Sequence, residues 1–104
     1  MDADGYATDA ELEVVKHWPV ASGWVPLMEF IGTTCWWAAD WGWTGPIEDH
    51  EENATRYAIS TGGWSGNESV ITAMRENREF WHTCWYSMRR GGHYEIVVPL
   101  VKPT

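Results

Sequence analysis

The spacing of hydrophobic and polar positions changes period repeatedly between Ala54 and Pro99. From Arg56 to Thr61 they alternate, with Tyr57, Ile59 and Thr61 on one face, the two-residue period of a half-buried strand. Gly62-Gly63-Trp64-Ser65-Gly66 follows, a stretch that permits positive φ and a sharp reversal. Ser65 and Glu68 have the spacing of a capping box, with Asn67 as a competing N-cap. Val70, Ile71, Met74, Trp81, Cys84, Trp85 and Met88 then recur largely at steps of three, four and seven, which lays one helical face on a core. The pattern predicts one long helix over about 66–90, roughly 37 Å long at 1.5 Å per residue. Arg75 and Glu79 are placed for an i,i+4 pair, Arg89 and Arg90 suit the last turn, and Gly91-Gly92 supplies a left-handed stop. His93 to Val101 alternates again, with Tyr94, Ile96, Val98 and Leu100 on one face; Pro99 puts this strand at an edge or ends it there. Strand, helix and strand in this order predict a right-handed crossover with the strands parallel, adjacent or one apart.

The first half is less regular. Thr8-Asp9-Ala10-Glu11 has capping-box spacing and predicts a short helix through Trp18, stopped by Pro19. Val25 to Thr34 is compatible with a strand, with Pro26 near its start. Cys35 to Trp41 is compatible with a helical turn or a strand, ended by Gly42, Gly45 and Pro46. The expected architecture is a single α+β domain over 1–104, with 1–7 disordered. A small β-sheet is packed by the one long helix, with a short N-terminal helix and an aromatic-rich second layer from 18–47.

Composition changes the picture of the core. Leu, Ile, Val and Phe together number 18 of 104 residues, which with a net charge of -8 would ordinarily indicate disorder. Nine Trp reverse that inference, because each ring can bury on the order of 150–250 Å². No apolar run reaches the roughly 18 residues of a membrane span, and no repeat period is visible. Cys35 and Cys84 show no metal-site spacing, and thiols in a cytosolic protein are usually reduced. The acidic start, Met-Asp-Ala-Asp-Gly, is unlike a secretory signal and gives the expectation of a cytoplasmic protein.

The charge is unevenly divided. Residues 1–55 hold eleven acids and one base, a net of -10, while 56–104 hold four acids and six bases, a net of +2. Such a chain is a poor ligand for nucleic acid but suits a protein partner with a basic face. Glu48, Asp49, Glu51 and Glu52, with the neighbouring Trp41 and Trp43, are the candidate partner-binding residues. The alternative is an anion site for a nucleotide-like ligand at Gly62, Gly63, Ser65 and Gly66, where backbone N–H groups converge on a helix start. Against it, Glu68 would repel phosphate, and Arg89 and Arg90 would lie at the far end of the helix. His93 is of the right type for acid–base work, but no nucleophile is tied to it by spacing. No catalytic set, metal site or cofactor is expected.

Tyr57-Ala-Ile-Ser-Thr-Gly-Gly-Trp-Ser-Gly-Asn-Glu68, then Phe80-Trp81, Trp85 and Arg89-Arg-Gly-Gly-His-Tyr94, resemble a small family of proteins carried by bacteriophages. The resemblance covers roughly residues 56–98 and brings no established activity. It implies a non-virion accessory protein in the cytoplasm of an infected bacterium. By analogy with other small acidic phage proteins, it would bind and modulate a host or defence protein without catalysis.

Overall fold

Thr8 opens the first helix as its spacing predicts. Its Oγ1 accepts from the Glu11 N–H at 3.1 Å, and the Glu11 carboxylate accepts from the Thr8 N–H at 2.7 Å. In the computed structural model, which describes residues 1–37 and 39–100, helix α1 spans Asp9–Lys16 and buries Val15. A short 3₁₀ turn at Val20–Ser22 leads into α2, Trp24–Phe30, extended by a π-type turn at Ile31–Cys35. Helix therefore stands where a strand over 25–34 was a candidate. Leu27, Met28, Ile31 and Cys35 are all fully buried at helical spacing. Pro26 falls in the first turn, where a helix has no use for its missing N–H. A single turn, α3 at Ala39–Gly42, precedes the sheet.

The sheet has four strands: β1 Trp43–Asp49, β2 Ala54–Ser60, β3 Trp85–Arg89 and β4 His93–Pro99, in the order β1-β2-β4-β3. Every neighbouring pair is antiparallel, and Tyr57 faces Ile96 while Ser60 faces His93. Tyr57, Ile59, Ile96 and Val98 are buried against the helices, whereas Ala58 and His93 on the opposite face are exposed. The sheet thus keeps one open side, as antiparallel sheets can.

The single long helix over 66–90 does not form. Three elements replace it: α4 at Ser65–Glu76, α5 at Arg78–Cys84, and strand β3. Asn77 makes the break, with ψ at 87° and its side chain accepting from the Phe80 N–H at 3.3 Å. Apolar spacing carries across the break because α5 packs on the same core, with Phe80 and Cys84 buried. Trp85 and Met88, expected on the buried stripe, lie instead on β3 and are 44% and 56% exposed. Separate helices also remove the Arg75–Glu79 pair, and the Arg75 guanidinium lies over the Trp81 ring, 5.6 Å from its centroid. Gly91 and Gly92, at φ 88° and 75°, turn a β3–β4 hairpin and do not stop a helix.

The parallel relation falls on a different strand than expected. β2 and β3 each pair antiparallel with β4, so β2 and β3 run parallel with β4 between them. β4, the strand anticipated as parallel, is antiparallel because the hairpin reverses it. It is internal to the sheet and ends at Pro99; its anticipated last residue, Val101, lies outside the described residues.

Most of the Trp excess builds the interior. Trp24 meets Phe80 edge-on at 5.6 Å, and Trp36 meets Trp43 at 5.5 Å. Trp37 and Trp41 remain substantially exposed. At the N-terminus, where disorder is expected over 1–7, Asp2 Oδ1 accepts from the N–H groups of Asp4 and Tyr6 at 2.9 and 3.0 Å.

Candidate functional site

The acidic cluster caps one end of the sheet. Glu48 and Asp49 finish β1, and Glu51 and Glu52 lie exposed in the turn before β2. Its members are not equivalent. Asp49 Oδ2 accepts from Arg56 Nε at 2.7 Å and its Oδ1 from the Glu52 N–H at 3.0 Å. The Glu52 backbone N–H, with the Arg56 guanidinium, holds the Asp49 carboxyl below the ordinary carboxylate range. Arg56 in turn lies 4.0 Å from Glu95, and Arg89 lies 3.7 Å from the same carboxylate. An alternating ladder, Asp49, Arg56, Glu95, Arg89, thus crosses all four strands on the open face. Glu48 is approached only by His50, at 3.6 Å, among the described residues.

Trp41 and Trp43 belong to the other end of β1, roughly 20 Å away at about 3.3 Å per residue. They are not equivalent either. Trp43 packs on Trp36 and Tyr57 and on Gly32, where a side chain would collide with it. Trp41 is 59% exposed, its ring seated against Gly62. The six predicted partner-binding residues therefore form two groups at opposite ends of one strand.

The glycine loop folds around an aromatic plug. Gly62 and Gly63 take φ of 63° and 74° and turn the chain into α4. No capping box forms: Trp64 stands at the N-cap without a side-chain bond, and Ser65 Oγ shares a hydrogen bond with Tyr6 Oη at 2.9 Å. The Trp64 indole lies against Gly66, with Tyr6 and Trp37 on it at 4.7 and 5.4 Å. Asn67 is no cap; it is buried and clamps the Trp37 backbone, accepting from its N–H at 2.9 Å and donating to its carbonyl at 3.0 Å. The Trp64 ring fills the place beside Gly66, whereas Gly62, Gly63 and Ser65 are exposed.

The polar groups that do converge lie on the far side of Trp41. A cleft of about 380 Å³ opens between Trp41 and the β3–β4 hairpin, lined by Ser60, Arg89, His93 and Glu95 among others. Ser60 Oγ and His93 Nδ1 share a hydrogen bond at 2.6 Å across the β2–β4 ladder. Periodicity had put Arg89 and Arg90 a full helix away from the glycines. The hairpin returns them, and the Gly92 carbonyl accepts from the Thr61 N–H at 3.0 Å. A parallel β2–β4 pairing would not have shown the Ser60–His93 contact; an antiparallel register starting at the Gly91-Gly92 turn would have.

No family model, curated protein or solved structure matches this chain. Among the described residues, no group of three or more His, Cys, Asp or Glu side chains is arranged to hold a metal ion. No described helix is long and apolar enough to cross a membrane. Ser60 and His93 resemble part of a nucleophilic pair, but no described carboxylate orients His93. A hydrogen-bonded pair of this kind can hold a ligand without activating an attack.

Proposed function

We propose that this chain is a non-catalytic accessory protein of bacteriophage type that binds a host or defence protein across the open face of its sheet. The observation that carries this reading is the uncovered face itself, bordered at one end by the turn with exposed Glu51 and Glu52, beside Glu48 at the β1 edge opposite Thr55, and at the other by the exposed Trp41. A partner of ordinary interface size covers about 800 Å², a patch wide enough to span a strand of roughly 20 Å. Trp41 has the character of an anchor, being large, rigidly seated and open to solvent. The carboxylates complement a basic partner and speed its approach. Asp49 is a poorer contact than its neighbours, because Arg56 already holds it.

The test is quantitative affinity capture from infected bacterial cells. Wild-type protein is compared with Trp41→Ala, with the triple change Glu48→Lys, Glu51→Lys and Glu52→Lys, and with Val20→Ser as an exposed control. A protein retained by the wild type and the control but lost by both surface variants supports the reading. Identical captured sets across all four would overturn it.

A further inference from the structure

We infer that the cleft between Trp41 and the β3–β4 hairpin binds a small planar anion, a heteroaromatic ring bearing one phosphate or carboxylate, of nucleoside-monophosphate size. This goes beyond the partner-binding reading and stands without it. The cleft, at about 380 Å³, falls within the roughly 300–1,000 Å³ usual for small-molecule sites.

Its walls differ in chemistry. Trp41 forms one side, its ring lying against Gly62, where any side chain would collide with it. An indole held open in this way is a stacking platform for a flat ring. Arg89, Ser60, His93 and Glu95 form the other side; Arg89 supplies the charge for an anionic oxygen, and the hydrogen-bonded Ser60 and neutral His93 keep one further N–H or O–H between them to donate. Glu95, 3.7 Å from Arg89, has Arg56 at 4.0 Å as well, but Arg56 is held more closely by Asp49 at 2.7 Å, so a ligand anion must compete with Glu95 for Arg89. The Ser60–His93 bond of 2.6 Å fixes both side chains in place before any ligand arrives.

The experiment uses the purified full chain with the four ribonucleoside 5′-monophosphates, the matching nucleosides and inorganic phosphate, followed by calorimetry and tryptophan fluorescence. At least one monophosphate should bind saturably and quench fluorescence, with its nucleoside and phosphate alone at least about tenfold weaker. Arg89→Gln should weaken binding about ten- to a hundredfold, and Trp41→Ala should abolish the quench. Both residues are exposed, so unchanged thermal unfolding confirms that these variants fold. Val20→Ser should bind as the wild type does. Absence of saturable binding to all four monophosphates, or equal binding by wild type, Arg89→Gln and Trp41→Ala, overturns the inference. Either result would leave the partner-capture comparison unaffected, since no partner is present.

Discussion

Asn77 Nδ2 donates to the Val15 carbonyl at 3.0 Å, tying the break between α4 and α5 to the end of α1 across 62 positions of sequence. The same amide donates to the Trp18 carbonyl at 3.1 Å, and the amide oxygen caps α5 through the Phe80 N–H. One buried side chain therefore ends a helix, starts another and joins both to the N-terminal segment. Val15, fully buried, sits at the centre of this junction.

Replacing Asn77 with Ala should destabilise the fold by roughly 2–3 kcal/mol, about 1 from the lost cap and the rest from carbonyls left without a donor. Urea unfolding measures it. Asn77→Asp keeps the cap but cannot donate, so it should recover part of the loss at most. A cost below about 0.5 kcal/mol for Asn77→Ala would show that the junction is not cooperative.

This junction also explains which parts of the fold were legible in the sequence. Thr8 and Glu11 announced α1 because a capping box is local, three residues apart. Tyr57, Ile59 and Thr61 announced β2 because alternation is local as well. Asn77 falls inside the continuous helix that the spacing predicts, and its deciding partners, Val15 and Trp18, lie far away in sequence. Trp85 and Met88 kept helical spacing with Val70 and Ile71 while occupying an exposed edge strand; apolar period alone cannot separate these cases when the edge is aromatic. Candidate chemistry followed the same division. Glu48 and Glu52 were visible as a charge run, but the pairing of Asp49 with Arg56 depends on strand register. The Ser60–His93 contact depends on it too, and on a hairpin that the expected helix concealed.

Acid should weaken the Asp49–Arg56 link. The folded-state carboxyl titrates below its unfolded value, so its contribution is present above the ordinary carboxylate range of about 3.9 and is lost as pH falls through the lowered value. Asp49→Asn should be less stable than wild type at pH 7, and the gap should close as pH falls below the ordinary carboxylate range. Denaturant unfolding at several pH values tests the sign. A gap that is constant with pH would mean that the carboxylate charge does not matter to the fold.

Two adjacent glycines separate backbone strain from a steric contact. Gly62 and Gly63 both lie in the left-handed region, at φ 63° and 74°, so Ala at either carries a backbone cost of about 1–2 kcal/mol. A Cβ on Gly63 meets nothing within 4 Å, whereas one on Gly62 runs into the Trp41 ring. Gly62→Ala should therefore be the more destabilising of the two, and only Gly62→Ala should alter the near-ultraviolet circular dichroism contributed by Trp41. Equal spectra for the two variants would mean that Gly62 does not seat the ring.

The two thiols should be silent in the native protein. Cys35 is fully buried and Cys84 is 1% exposed, both are free, and burial pushes each thiol up to about 12. Very little of either thiol would then be the reactive thiolate at pH 8. Ellman's reagent should titrate two thiols per chain in guanidinium chloride and almost none without it. Native-state labelling should be governed by opening of the core. Asn77→Ala, by loosening the junction above Val15 and Phe80, should raise that labelling rate in proportion to its loss of stability. Rapid native labelling of one thiol in the wild type would place that cysteine at the surface.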